Sequence, residues 1–295
     1  MKVVIFGAGQ VGSTVAKAIA RRTPMVFRRT DANFDSPDAL ADLIYSERPD
    51  VIVNAVAYTA VDRAEAEVSL AFQVNAVAPG ALAAAAAKVG SWLIHYSTDY
   101  VFDGEKRLPY SEEDATNPLN AYGRSKRSGE AMVAAAGDRF LILRTSWLHA
   151  PGHANFVRTI LTLARSKSTL RVVDDQIGTP TSAATIADTT ASIIDAIESG
   201  MPLNPGIYHA SAHGETSWWG FAKYIVETAL AEGAELTLRP EDVMPVASID
   251  YPQAAKRPRY SCLATTKLEA MGIAMPDWRP GALDSVRGIL QASTS

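Results

Sequence analysis

Apolar residues in this chain fall into short runs set between stretches of helical spacing. Lys2 to Phe6 is a run suited to a buried parallel strand, and Gly7 to Gly12 ends it. From Val11 to Arg21 the apolar positions recur with helical spacing. Pro24 resets the chain, and Met25-Val26-Phe27 reads as a short second strand. Ser36-Pro37-Asp38 marks a helix start: a cap, a proline in the first turn, then an acid near the positive helix end. Asp50 to Asn54 is the next strand, followed by a long alanine-rich helix over Phe72 to Val89. Trp92 to Tyr96 then reads as a strand, Tyr122 to Ala136 as a helix and Phe140 to Arg144 as a strand. This alternation predicts an α/β fold: a doubly wound parallel, Rossmann-like sheet with helices on both faces.

The rhythm weakens after about residue 146. Asn155 to Arg165, Thr185 to Ile197 and Glu215 to Leu230 read as helices, and Leu170 to Val173 as extended chain. Prolines at 240, 245, 252, 258, 276 and 280 predict a loop-rich end, and the small polar tail Gln291 to Ser295 reads as frayed. We expect residues 1–145 to form a dinucleotide-binding domain, with 182–200 returning to it. Residues 146–181 and 201–295 should form a smaller, irregular α/β substrate-binding part.

Composition narrows the class. In 295 residues, 47% are hydrophobic, enough for a sizeable core. The 28 basic and 32 acidic residues give a charge of -4, which argues against a general nucleic-acid binder. The single cysteine, Cys262, excludes an internal disulfide and a multi-thiolate metal site, and fits a reducing, cytoplasmic compartment. The opening apolar run is too short for a secretion signal. Ala76 to Ala87 is apolar but short, and Pro79 and Gly80 interrupt it, so no membrane span is expected. His149 and His153 are separated by Pro151-Gly152, which argues against a shared helical metal face, and no metal site is expected.

Gly7-Ala8-Gly9-Gln10-Val11-Gly12 matches G-x-G-x-x-G between a strand and a helix. Such glycines permit a tight turn and bring the helix N-terminus to a pyrophosphate. Arg28 and Arg29 follow the second strand, where an NAD site usually has an acid. Their guanidinium groups suit a 2′-phosphate, so NADPH is favoured, with NADH as a second cofactor. Asp31 remains a candidate for a ribose contact. Asn33 and Phe34, together with Ala55, Ala57 and Tyr58 after the third strand, complete the candidate cofactor contacts.

Tyr122-Gly123-Arg124-Ser125-Lys126 is Y-x-x-x-K, which puts the tyrosine and lysine on one helix face. The tyrosine can protonate a carbonyl oxygen as hydride reaches the carbon. A nearby ammonium favours phenolate, and Lys126 can also hold a cofactor ribose. Thr98, with Ser97 as its near competitor, lies at the carboxyl end of a strand, on the ligand edge of the sheet, and can bond the same oxygen. Asp99 either polarises this network or satisfies local N–H groups. His95 reads as structural.

These residues resemble the dTDP-4-dehydrorhamnose reductases, a branch of the extended short-chain dehydrogenase/reductases. The matching stretches include Arg48 to Ala55, Tyr58 to Asp62, Tyr96 to Gly104 and Pro118 to Gly123. Arg144 to Trp147, Asp174 to Thr181, Arg257-Pro258 and Pro276 to Trp278 extend the likeness over nearly the whole chain. The resemblance implies reduction of dTDP-4-dehydro-β-L-rhamnose to dTDP-β-L-rhamnose with NADPH, or also NADH, in dTDP-rhamnose and carbohydrate biosynthesis. It favours Thr98 over Ser97 and maps the family's Thr–Tyr–Lys catalytic set to Thr98, Tyr122 and Lys126. It places Thr98, Tyr100, Tyr122, Trp147, Asn155 and Arg257 near the nucleotide-sugar. Four of these have a plainer role open to them. Tyr100 can frame a loop, Trp147 can pack, Asn155 can cap a helix and Arg257 can form a surface ion pair. Trp218 and Trp219 read as packing residues facing different directions.

Two departures carry expectations of their own. The glycine loop is one residue shorter than the family's usual G-x-x-G-Q-x-G. Some relatives dimerise through magnesium held by acids, but the matching positions here are Thr14 and Ala184, so a monomer or a metal-independent homodimer is expected. The rival activities are a nucleotide-sugar epimerase or dehydratase, and a non-catalytic NADP-binding regulatory subunit.

Overall fold

A computed structural model describes residues 1–28 and 30–292. Arg29, a candidate phosphate contact, and the last three residues of the tail therefore lie outside the described residues. Six parallel strands form the main sheet: β1 (Val3–Phe6), β2 (Met25–Phe27), β3 (Val51–Asn54), β4 (Trp92–Thr98), β5 (Phe140–Thr145) and β6 (Gly206–His209). Their spatial order is β6-β5-β4-β3-β1-β2. The order reverses between β1 and β3, the switch point at which open α/β sheets bind ligands. Val3, Val4, Ile5 and Phe6 are all buried, as helices on both faces require.

Helix α1 (Gln10–Ala18) follows β1, and α2 (Pro37–Glu47) precedes β3. Ser36 precedes α2, and Pro37 opens it as predicted, although the serine side chain makes no capping bond. The alanine-rich segment is longer than its pattern implied. Helix Val68–Phe72 runs through a π-helical stretch, Gln73–Val77, into α3 (Ala78–Val89). Pro79 lies in the first turn of α3, where a missing N–H is tolerated. The joined run Val68–Val89 has 22 residues and the apolar composition of a membrane span, yet more than half of it is buried inside the fold. It packs against α2 and against α4 (Ala121–Ala136).

The second half builds around α5 (Phe156–Ala164), α6 (Ala183–Glu198), α7 (Trp218–Ala231) and α8 (Trp278–Gln291). Helix α6 packs on α1 and sends Ile186, Ile193 and Ile194 into the main core. A separate core joins α5, α7 and α8, with Phe221 and Trp278 at its centre. Two features depart from the sequence reading. Strand β6 lies in the stretch assigned to the substrate part, yet it hydrogen-bonds along β5 and completes the main sheet. Proline-rich spacing near the end concealed α8, whose N-terminus is capped by Asp277, with Pro280 in its first turn.

Candidate active site

The glycine turn is built by contact. Gly7 has φ +98°, and a Cβ there would come 3.0 Å from the Ala55 backbone. A Cβ on Gly12 would fall 1.9 Å from the Gly7 carbonyl oxygen, so the first turn of α1 lies directly on the β1 loop. Gly9 is different: nothing stands within 4 Å of its Cβ position. It precedes α1, and no side chain caps the helix there. The shorter loop thus keeps an open approach to uncapped N–H groups, the arrangement that suits a pyrophosphate.

Two cavities meet over this turn and share Gly9, Ala55 and Ala57. One, about 450 Å³, is bordered by Gly7, Asn33, Phe34 and Tyr58. The other, about 560 Å³, contains Gln10, Val11, Thr98, Tyr122, Lys126 and Trp147 in its wall. A continuous trough therefore runs from the β2 side of the sheet to the catalytic helix. Ser97 Oγ and Thr145 Oγ1 are buried, lie on the larger of the two cavities and have no hydrogen-bond partner among the described residues. Open glycine, uncapped helix and orphaned hydroxyls together fit a dinucleotide.

Arg28 is exposed at the end of β2. The backbone N–H of Arg28 donates to Asp31 Oδ2 at 2.8 Å. The Asp31 carboxylate therefore closes the turn carrying the arginine. Tyr58 is held on both ends. Its hydroxyl donates to Glu67 at 2.6 Å, and its N–H donates to Asn75 Oδ1 at 2.8 Å. Asn75 Nδ2 returns a bond to Tyr58 O and another to Ser125 Oγ. Asn75 sits in the π-helical stretch, a distortion often found at functional sites, and apolar periodicity gave no sign of it.

Thr98, Tyr122 and Lys126 do converge. Strand β4 runs two residues beyond its predicted end and carries Ser97 and Thr98 to the edge of the cavity. Asn120 caps α4 by accepting the N–H of Gly123, which fixes the turn bearing Tyr122. Burial pushes the Tyr122 phenol up to about 12, the Thr98 hydroxyl draws it back, and the Asp99 charge raises it. Lys126 is buried and donates to the Tyr96 carbonyl at 2.5 Å, and burial lowers its ammonium to about 8. The expected lowering of the tyrosine by this lysine is not seen: burial dominates the phenol, and the Lys126 ammonium is bonded to the Tyr96 carbonyl on β4.

Asp99 sits behind the threonine. Thr98 Oγ1 donates to Asp99 at 3.0 Å, and Ser261 Oγ donates at 2.6 Å. Burial raises this carboxyl to about 7. His95 is buried with Nδ1 3.1 Å from Asn54 Nδ2, and burial holds its ring well below the usual range, which fits a structural role.

The candidate sugar contacts divide. Tyr100 meets the Tyr122 ring edge-on at 6.0 Å and bonds Arg257. Arg257 is also paired with Asp62 at 2.7 Å, and it borders a third cavity of about 330 Å³ with Phe156 and Trp218. Trp147 has φ +45° and stacks on Trp218 with ring centroids 3.5 Å apart, so this pair separates the second and third cavities. Trp219 faces elsewhere and donates to the Val243 carbonyl. Asn155 takes the capping role: Oδ1 accepts the Arg158 N–H, while Nδ2 donates to Gln10 Oε1 and two backbone carbonyls. It borders none of these three cavities and instead ties the glycine loop to α5.

His149 bonds Ser285, His153 lies 3.4 Å from Ser13, and Thr14 bonds the Gln10 carbonyl. Among the described residues, no group of three or more His, Cys, Asp or Glu is placed to hold a metal.

A family model described as the RmlD substrate binding domain matches residues 1–290. A dTDP-4-dehydrorhamnose reductase of Burkholderia thailandensis is 43% identical over 98% of this chain and 99% of its own. The crystal structure of a Clostridium acetobutylicum dTDP-4-dehydrorhamnose reductase has 35% identity and a TM-score of 0.89, covering 99% of this chain and 100% of that one. A Bacillus anthracis dTDP-4-dehydrorhamnose reductase, solved in complex with NADP, has 32% identity and a TM-score of 0.87 with the same coverage. With the trough, the Tyr–Lys helix and the strand-end threonine all in place along the matched length, the chain belongs to the dTDP-4-dehydrorhamnose reductase family.

Proposed function

We propose that this protein reduces dTDP-4-dehydro-β-L-rhamnose to dTDP-β-L-rhamnose with NADPH, and less effectively with NADH. The observation that carries this reading is the meeting of Thr98, Tyr122 and Lys126 in a cavity continuous with the glycine turn. A bound reduced nicotinamide supplies hydride to sugar C4.

In this reading Gly7, Gly9, Gln10, Val11 and Gly12 form the pyrophosphate turn. Arg28 faces the adenosine phosphate end, and Asn33, Phe34, Ala55, Ala57 and Tyr58 wall the dinucleotide trough. Lys126 holds the ribose. Tyr122 gives its proton to the sugar oxygen as negative charge develops there. The Thr98 hydroxyl turns its one hydrogen from Asp99 to that oxygen and keeps it aligned with the phenol, while Ser261 holds the Asp99 carboxyl behind it. The raised tyrosine favours the protonated donor at neutral pH, the form reduction needs. Tyr100 and Trp147 frame the sugar, and Arg257 offsets diphosphate charge at the third cavity.

Residues 1–145 with 182–200 and β6 act as the cofactor-binding part, and the remaining C-terminal elements supply the sugar-nucleotide side. The protein works in the cytoplasm, as a monomer or a homodimer formed without metal.

The test is direct. Purified protein is mixed with NADPH and freshly generated dTDP-4-dehydrorhamnose, and the product is identified by mass and NMR. Stoichiometric loss of NADPH absorbance with formation of dTDP-L-rhamnose is expected. No consumption, where a control reductase works, would overturn the reading.

A further inference from the structure

Tyr122, Lys126 and Glu130 succeed one another at four-residue steps, so they share the face of α4 turned to the sheet. Lys126 and Glu130 are both almost fully buried. The Glu130 carboxylate accepts Arg144 Nε and Nη2, each at 2.8 Å, in a two-pronged ion pair with strand β5. Arg144 is itself 2% exposed, and its guanidinium lies 5.0 Å from the Phe102 ring centre. His209 on β6 completes the nest. Its Nδ1 lies 3.0 Å from Tyr110 O and 3.1 Å from Ala264 O, so Nδ1 carries the hydrogen and Nε2 accepts from Arg144. Burial keeps the ring neutral.

We propose that Glu130 is a positioning residue for Lys126: locked in place by Arg144, its carboxylate keeps the neighbouring ammonium charged for the cofactor. This rests on the reading of Lys126 as the ribose-binding lysine. A buried ammonium is disfavoured unless a negative charge stands close by. Glu130 supplies that charge from the next helical turn and opposes the burial that draws Lys126 down to about 8.

The other elements packed on α4 offer little in its place. Strand β4 brings neutral His95 and the Tyr96 ring, which is bonded to Thr190. The turn after β4 brings Asp99, bonded to Thr98 and Ser261. Strand β5 brings Arg144, already committed to Glu130. Segments Val68–Phe72 and Gln73–Val77 contain no titratable side chain, and α3 has only Lys88, over the Tyr45 ring. Asp62 and Arg63 on the short helix Val61–Ala64 are paired with Arg257 and Glu67, and Glu65 just after it accepts the Ala121 N–H at 2.6 Å and lies 3.8 Å from Arg124.

The experiment separates charge support from anchoring. NADPH affinity is followed by its fluorescence from about pH 6.5 to 9.5 in wild type, Arg144→Met and the double variant Glu130→Gln with Arg144→Met. Glu130→Gln alone leaves a buried guanidinium without its partner, so the double variant carries the test. Wild-type affinity should fall as pH rises through about 8, when the Lys126 charge is lost. In the double variant the fall should come about one pH unit lower. Arg144→Met alone should melt earlier, with its midpoint above that of the double variant, because the Glu130 side chain is still in place beside Lys126. A double variant whose midpoint matches wild type would overturn the proposal and leave the pair as an anchor only. Wild type that binds no NADPH at any pH would instead defeat the functional reading beneath it.

Discussion

In the proposed reduction the Tyr122 phenol carries the proton that the sugar oxygen needs, and burial raises it while the Thr98 hydroxyl draws it back. Tyr122→Phe keeps the ring and removes the donor. Turnover should fall by about 10²- to 10⁴-fold while NADPH affinity stays near wild type. Steady-state rates beside a fluorescence titration check both parts. At the other end of the trough, Arg28→Ala should weaken NADPH by about 10-fold or more and leave NADH nearly unchanged. Equal losses for the two cofactors would remove Arg28 from the phosphate site. Asp99 offers a test of pH. Its buried carboxyl is raised to about 7, above its unfolded value, so its contribution is fully present below about pH 4 and is lost as pH rises through about 7. Asp99→Asn should therefore gain about 2 kcal/mol on wild type between about pH 5 and pH 8 in chemical denaturation. A constant gap across that range would show that the carboxyl does not titrate there.

At the level of elements, the glycine turn and the α5 cap set the geometry of the trough. Gly12→Ala would drive a methyl into the Gly7 carbonyl, which is backbone and cannot swing aside. It should cost about 2 kcal/mol or more and weaken dinucleotide binding together with stability. Thermal melts with and without NADPH separate the two losses. Much of this level was legible in the sequence. The strand–glycine–helix order and the Y-x-x-x-K spacing are local facts, and local backbone geometry turns them into a phosphate turn and a shared helix face. The role of Asn155 was less legible. An asparagine before a helix can cap or bind; here Oδ1 accepts the Arg158 N–H as a cap, and only the tertiary structure shows Nδ2 reaching Gln10 and Ala150. The end of β4 was also misjudged. Polar Ser97 and Thr98 break an apolar run, but the sheet continues through them because β5 offers hydrogen-bonding partners alongside.

The whole molecule buries three histidines without charging them. His149 is drawn down to about 4 by burial alone. Its unfolded value is near 6.5, so its contribution is present above that pH and is lost as pH falls through about 4. His149 alone should remove about 3 kcal/mol of stability over this interval. His149→Gln should flatten that part of the stability profile, measured by denaturant unfolding at a series of pH values. An unchanged slope would place the acid sensitivity elsewhere.

Short-range order was the sequence's own determination: strands β1 to β5, the helices between them, the glycine turn and the tyrosine–lysine face each depend on residues a few positions apart. The family likeness pointed to Thr98, Tyr100, Trp147 and Arg257 as site residues, but it left their partners open. Those partners came from packing. Strand β6 joins β5, Trp147 lies on Trp218, Arg257 reaches Asp62, and Glu130 grips Arg144. Periodicity cannot register such contacts, because they join residues far apart in the chain and exist only once separate elements share one core.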